Sequence, residues 1–325
     1  MNKTSSGKTG PTLLTQSIES RKGLIYHIYK RRGQVPFLLL SLAPVVLFFL
    51  FNYLPMFGLS IAFQDYKLGA PFFGEGAKWV GFKHFKQMFS SYMLGRLIKN
   101  TLILSSMHLA FGMPAAVGLA LIINELRLKW FRKFTSTISL LPYFLSTVVV
   151  IALMRNLFST NDGVVNQLLV ALGFEKINFL GSSEWFRTLH VGSGLWSGTG
   201  FSAVVYSAAI AGIDPELYDA AAIDGSTRWK NIFHITIPCI MPTLCIMLIL
   251  NLGGIMSVGF EKIILMYSPS MYDVADVLST YVYRVGLLNG RMSYTTAIDI
   301  FNTLCNLAML ITANVITKKL TGEGI

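Results

Sequence analysis

Charge is scarce in this sequence. Only 13% of its residues are Asp, Glu, Lys or Arg, about half of what a soluble globular domain carries. With 53% of the chain hydrophobic, an ordinary water-soluble fold around one core is excluded. Cysteine is rare as well. Cys239, Cys245 and Cys305 all fall in or beside apolar runs. There they read as small hydrophobes, with no disulfide framework or metal site among them. His108 and His190 stand isolated, without a second ligand at helical spacing, so no metal is expected. A complete nucleotide motif is also missing. Ser6-Gly7-Lys8-Thr9 resembles the end of a phosphate-binding loop, but Asn2 stands where that loop needs glycine. No strand precedes it either.

What the chain has instead is long apolar runs. A membrane span needs about 20 apolar residues to cross about 30 Å of hydrocarbon. Six stretches meet that length: 36–63, 101–124, 138–158, 188–210, 239–260 and 294–317. The longest gap between them, 64–100, leaves no room for a separate soluble domain. An enzyme with its own aqueous active site is therefore not expected. The expected fold class is all-α, a polytopic membrane helical bundle of about six transmembrane helices.

Two regions follow, a tail at 1–35 and a six-span domain at 36–325. Residues 1–17 are rich in Ser, Thr and Gly and expected to be disordered. Residues 18–32 mix apolar side chains with Lys and Arg, the pattern of an interfacial helix on anionic lipid. The first apolar run begins at Pro36 and is too long for the core of a signal peptide, so it is expected to remain as an anchor.

An even number of spans puts both termini on one side. With the termini in the cytosol, inner segments hold 15 Lys/Arg against 7 Asp/Glu, and outer segments 12 against 8. That bias fits the positive-inside rule. The outer segments 64–98, 159–187 and 266–293 carry Trp79, Phe82, Phe85, Tyr92 and Trp185. These aromatics read as an interfacial belt or as a docking surface for an external partner.

The most informative loop runs over 213–238. Asp214 is a good N-cap, and Pro215 follows at the first helical position. Glu216 and Asp219 place negative charge in the early turns, favourable against the helix dipole. Ala220, Ala221 and Ala222 are strong helix formers. Gly225 permits the left-handed turn that ends a helix. The spacing predicts a short helix over Pro215–Asp224, then a second amphipathic stretch, Thr227–Thr236, leading to Pro238. Such a helix could be a connector lying on the membrane or a rigid knob offered to a partner. The residues alone leave both open.

A resemblance decides between them. Asp219-Ala220-Ala221, Gly225, Ile235, Ile237 and Pro238 closely resemble the cytosolic loop of ABC importer permeases: EAA, three residues, G, nine residues, I-x-L-P. The spacing fits throughout, with Asp219 for Glu and Ile237 for Leu. Asp224 looks like the sugar-importer version. Trp79-Val80-Gly81-Phe82, Asn100-Thr101, Asp162-Gly163 with Asn166, Phe201, Tyr206 and Tyr281-Tyr283-Arg284 are similar to carbohydrate-type permeases. Within that group the chain resembles permeases of polysaccharide importers, including the alginate system.

The resemblance implies a type I ABC importer permease in the bacterial cytoplasmic membrane. Its loop would be a coupling helix seated in a cleft of an ATP-binding subunit, with Glu216, Asp219, Ala220, Ala221, Asp224, Gly225, Ile235 and Pro238 as docking residues. Implied partners are a second permease subunit, two ATP-binding subunits and an extracytoplasmic solute-binding protein, besides the lipid. No nucleic acid is expected. ATP and Mg would be used by the partner ATPase, with no cofactor bound by this chain. The ATPase would rock the spans between inward-open and outward-open states around a midplane site.

Polar residues within spans are costly and tend to face a cavity or a bundle interior. Asp299, Asn302 and Asn306 share one narrow helical stripe. Asn251, Gly254, Ser257 and Glu261 fall within an arc of roughly 120°. Asn251, Ser257, Asp299 and Asn302 are candidates for a substrate path, with Tyr143, Trp196 and Tyr206 as stacking surfaces for sugar rings. Interhelical hydrogen bonding is the alternative, and the preferred one for Asn306 and Asn314. An acidic substrate would be repelled by Asp299 unless that carboxyl is protonated or paired. Gly194, Gly198 and Gly200 give the fourth span a small face suited to close packing.

A membrane-embedded enzyme acting on lipid-linked sugars is the alternative from another class. It would need a carboxylate or His cluster at one membrane face, and the sequence offers none beyond the helix-capping acids. An exporter core is a third reading, against which the loop motif stands.

Overall fold

Pro142 breaks the third apolar stretch. It has no N–H to give the helical ladder, and the chain turns through a 3-10 turn, Leu141–Phe144, into extended Leu145. Ser146 then starts a new helix, its Oγ accepting from Val149 N at 3.4 Å. The helices on either side meet at 98°. The expected straight span over 138–158 is thus a bent pair. The computed structural model describes residues 35–321, apart from Glu75. The expected disordered stretch, the interfacial helix and the incomplete phosphate loop lie outside them.

Residues 35–60 form one unit by themselves. Helix α1, Val35–Phe48, passes into a π turn, Phe49–Tyr53, and then a 3-10 segment that runs to Phe63. Asn52 Nδ2 donates to Phe48 O at 3.1 Å, and the Phe49 and Tyr53 rings stack at 5.3 Å.

The second unit, from Ile61 on, is a helical bundle. In chain order it holds α2 (Lys83–Phe89), α3 (Tyr92–Glu125), α4 (Lys129–Leu140), α5 (Thr147–Phe158), α6 (Val164–Ala171) and α7 (Ser183–Ala211). Then come α8 (Pro215–Ile223), α9 (Arg228–Gly253, with a π turn at Ile232–Thr236), α10 (Phe260–Met266), α11 (Leu278–Val282) and α12 (Met292–Thr321). Ser91 caps α3 by accepting from Met93 N, and the helix runs 34 residues past Pro114.

Among the described residues, four helices are long and apolar enough to cross a membrane: Leu40–Phe63, α3, α9 and α12. The bent pair α4–α5 makes a fifth if counted as one span. By the same measure α7, the helix over the expected fourth span, falls short. Its 29 residues are long enough, but a run of Gly, Ser and Thr dilutes its apolarity. Those small residues serve packing. A Cβ on Gly200 would stand 1.8 Å from Ser139 O, so α4 crosses α7 backbone to backbone there. Gly198 has open space instead, and a Cβ on Gly194 would meet only side chains. Close helix packing therefore belongs to Gly200 alone of the three.

The α3–α7–α9 core buries Ala116, Ala120, Ala203, Tyr206, Ile210 and Ile240. A second cluster joins Leu97 of α3 to Met256, Leu278 and Ile298. Helix α9 ends at Gly253 rather than near residue 260, and residues 254–259 are irregular. Their backbone groups find side-chain partners. Asn306 Oδ1 accepts from Met256 N at 2.9 Å, and Ser105 Oγ donates to Ile255 O. Irregular backbone at membrane depth is tolerated where protein or a cavity surrounds it, and both conditions hold here.

The segments expected outside the spans carry their own fixings. Lys83 Nζ donates to both oxygens of Asp65, at 2.9 and 3.0 Å. That hydrogen bond holds the Asp65 carboxyl below the usual carboxylate range. Asp276 is fully buried and accepts from Arg284 Nη2 at 2.5 Å and Thr280 Oγ1 at 2.8 Å. The guanidinium also lies 4.1 Å over the Tyr272 ring.

Candidate functional site

The loop over 213–238, expected to dock a partner, is built at the ends of α8. Asp214 Oδ1 accepts from Glu216 N at 3.0 Å, which fixes the start of α8. At the other end Gly225 takes φ +69°. Gly225 N donates to Ala222 O at 3.1 Å and Ser226 N to Ala221 O at 2.9 Å. This is the paired hydrogen-bond closure that a left-handed glycine allows. The observed helix stops at Ile223, with Asp224 as its C-cap, one residue short of the expectation.

No residue of α8 is buried. Glu216, Asp219, Ala220, Asp224 and Gly225 are exposed, and Ala221 is half-buried. These six expected docking residues thus lie together on one protruding turn-capped helix. Ile235 and Pro238 do not join them. They sit on α9, Ile235 half-buried and Pro238 exposed. The second amphipathic stretch is the start of α9 itself, with Thr227 accepting from Lys230 N as its N-cap.

Sequence reasoning missed what ties α8 to the bundle. The Tyr218 hydroxyl lies 2.9 Å from Thr236 Oγ1 in the π turn of α9. Thr236 is buried. Beside it, Arg228 pairs with Glu125 at the end of α3, at 3.8 Å. Exposed apolar side chains surround the knob: Ile223, Trp229 and Phe233.

A cavity of about 480 Å³ opens between α3, α7, α9 and α10. Asn251 and Ser257 line it, as does His108. Asn251 Nδ2 is bonded to Met247 O at 2.7 Å within its own helix. Asp299 and Asn302 do not line it. Asp299 is exposed, and Asn302 Oδ1 is buried without a partner. Asn306 donates from Nδ2 to Ser257 Oγ at 3.1 Å, the interhelical role preferred for it. Trp196 lines a different, apolar cavity against α5. One face of Tyr143 is covered by Phe201, stacked at 4.2 Å. Tyr206 is buried in the core. Of the candidate path residues, then, Asn251 and Ser257 share this cavity, and Tyr206 borders a smaller one of about 70 Å³ with Asn251. Lys262 also lines the first cavity, and nothing in its sequence neighbourhood singles it out.

Residues 111–322 match the family model for the binding-protein-dependent transport system inner membrane component. The chain is 40% identical over 309 residues to the polygalacturonan/rhamnogalacturonan transport system permease protein YteP of Bacillus subtilis (strain 168), covering 94% of each. It is 39% identical over 306 residues to protein LplB of the same organism, covering 94% of this chain and 95% of that one. Among solved structures, a chain of a bacterial ABC transporter involved in the import of the acidic polysaccharide alginate superposes with a TM-score of 0.83. The two are 41% identical, over 91% of this chain and 99% of that one. The same values hold for the bacterial alginate ABC transporter in complex with an alginate pentasaccharide-bound periplasmic protein. The capped loop, the helical bundle and these likenesses agree, and the chain belongs to the family of inner-membrane components of binding-protein-dependent transport systems.

Proposed function

We propose that this chain is one permease half of an ATP-driven importer that carries saccharides, oligomeric or polymeric, into the cytoplasm. The observation that carries the reading is α8, a helix with no buried residue whose two ends are fixed by its own caps and whose middle is pinned to α9. A helix so held transmits force. In this reading an ATP-binding subunit grips α8 and moves α9 with it. Both termini and α8 lie in the cytosol. The partners are a second permease, two ATP-binding subunits that use ATP and Mg, and an external binding protein. Saccharide as the cargo rests on the relatives: a polygalacturonan/rhamnogalacturonan permease and an alginate transporter. Asn251 and Ser257 are the candidate path residues that share the cavity lined by Lys262, and they line the route in this proposal. Nothing among the relatives favours an enzyme acting on lipid-linked sugars.

The test is uptake. The full importer, produced in cells lacking their own saccharide importers, is assayed with labelled oligogalacturonate and neutral oligosaccharides. Uptake of at least one, dependent on both this chain and the ATP-binding subunit, is expected. Failure to take up any saccharide when the complex is assembled overturns the reading.

A further inference from the structure

Three basic side chains from three helices converge on the cavity beside Asn251 and Ser257. Lys262 comes from α10, His108 from α3 and His190 from α7. Gly194 makes the meeting possible. A Cβ there would stand 3.1 Å from both Lys262 Nζ and His108 Cε1, so the ammonium and the imidazole sit together over its bare backbone.

Lys262 is under-partnered. Among the described residues its one hydrogen bond goes to the neutral His190 carbonyl oxygen, at 2.6 Å. An ammonium carries three donors. Among the described residues no carboxylate forms an ion pair with it, and no Asp or Glu lines the cavity. His190 is buried, and its Nδ1 has no hydrogen-bond partner. A charge at membrane depth persists where it is paired or faces a wet cavity, and such residues mark substrate paths. The room is there: about 480 Å³ is in the range of pockets that hold a small organic ligand. Ser105, Asn251 and Ser257 supply neutral hydrogen-bonding groups along the same wall, suited to sugar hydroxyls.

We propose that Lys262, with His108 beside it over Gly194, is the point where the permease recognises a carboxylate of an acidic saccharide in transit. The specificity-determining contact is a charge-assisted hydrogen bond from Nζ to a uronate oxygen. This rests on the reading of the chain as a saccharide importer subunit and narrows its cargo to the anionic class. It also assigns α10, a seven-residue helix after the break in α9, the job of carrying that ammonium into the cavity.

The experiment compares two probes, trigalacturonate and neutral galactotriose, in cells producing the full importer with Lys262, Lys262→Gln or Lys262→Arg. Assembly is checked by co-purification of the ATP-binding subunit, so that uptake is expressed per assembled complex. Loss of one charge-assisted hydrogen bond predicts that Lys262→Gln lowers trigalacturonate uptake about tenfold or more, with Lys262→Arg within about threefold of wild type. Trigalacturonate uptake in Lys262→Gln within about twofold of wild type overturns the proposal. So does an equal loss in Lys262→Gln and Lys262→Arg, which would make Lys262 a brace for the His190 carbonyl. Wild-type uptake of galactotriose alone overturns the anionic assignment and leaves saccharide import standing. Uptake of neither probe by the assembled wild type, together with failure on every other saccharide, removes the importer reading and this contact with it.

Discussion

Tyr218 on α8 and Thr236 in the π turn of α9 are joined oxygen to oxygen at 2.9 Å, across 18 residues that include the whole C-cap of α8. Among the described residues the contact is the one side-chain hydrogen bond between α8 and the span behind it. It is expected to set how firmly a pull on α8 reaches α9.

Tyr218→Phe removes the hydroxyl and keeps the ring. One net hydrogen bond, about 1 kcal/mol, is lost. The expected result is intact assembly with fewer saccharides moved per ATP hydrolysed. Measuring uptake and hydrolysis on the same preparation checks this, and an unchanged ratio would mean the contact carries no force.

Gly225→Asp forces a side chain into φ +69°, at a cost of about 1–2 kcal/mol. The hydrogen bonds from Gly225 N and Ser226 N that close α8 should loosen. Weaker retention of the ATP-binding subunit during purification is expected, as is weaker uptake. Asp219→Lys should act in the same direction by reversing charge on the exposed face. Full retention in both variants would reduce the loop to a connector.

Gly200→Ala and Gly198→Ala form a matched pair two residues apart on α7. The first puts a methyl group 1.8 Å from Ser139 O, and overpacking of that kind costs roughly 3 kcal/mol. The second enters open space and trades glycine for a better helix former, a gain of about 0.5–1 kcal/mol. Thermal unfolding in detergent should fall for the first and hold or rise for the second. Equal melting temperatures would argue against the α4–α7 crossing described above.

Arg284→Ala leaves Asp276 buried without its cation, which costs about 3–5 kcal/mol. A double variant, Asp276→Asn with Arg284→Met, leaves no unpaired charge and should melt closer to wild type than Arg284→Ala alone. Circular dichroism on the purified complex reads this order, and a reversed order would mean the pair is not buried as described.

Helix α8 was legible in the sequence because its signals are local. Asp214, Pro215, the alanines and Gly225 each act within one turn, and the structure departs by one residue at Asp224. The break in α9 was less legible. Gly253-Gly254 stood inside an apolar run, and the side chains that satisfy the irregular backbone come from Ser105 and Asn306 on other helices. The bend at Pro142 had its signal in place, a proline followed by Ser146 as a new cap, but apolarity alone reads straight through it. Helix α7 is the least apolar of the expected spans: residues 188–210 are long enough, yet its Gly, Ser and Thr thin out the hydropathy. The cavity was half visible. Asn251 and Ser257 fell on one arc of a single helix, which periodicity can find. Lys262, His190 and His108 meet only through tertiary packing, and Asp299 and Asn302 share a stripe that the cavity does not touch.

Helix α3 outreaches the bilayer. Its 34 residues span about 51 Å against about 30 Å of hydrocarbon. A rod longer than the slab that holds it is a lever with its pivot in the slab. Turned by about 10° around its middle, it would carry Glu125 roughly 4 Å one way and Tyr92 roughly 4 Å the other. Glu125 is the end that meets Arg228, at the start of α9 just after α8. A small displacement there would be carried along α3 toward its far end, with Pro114 the one interior residue that gives the ladder no N–H.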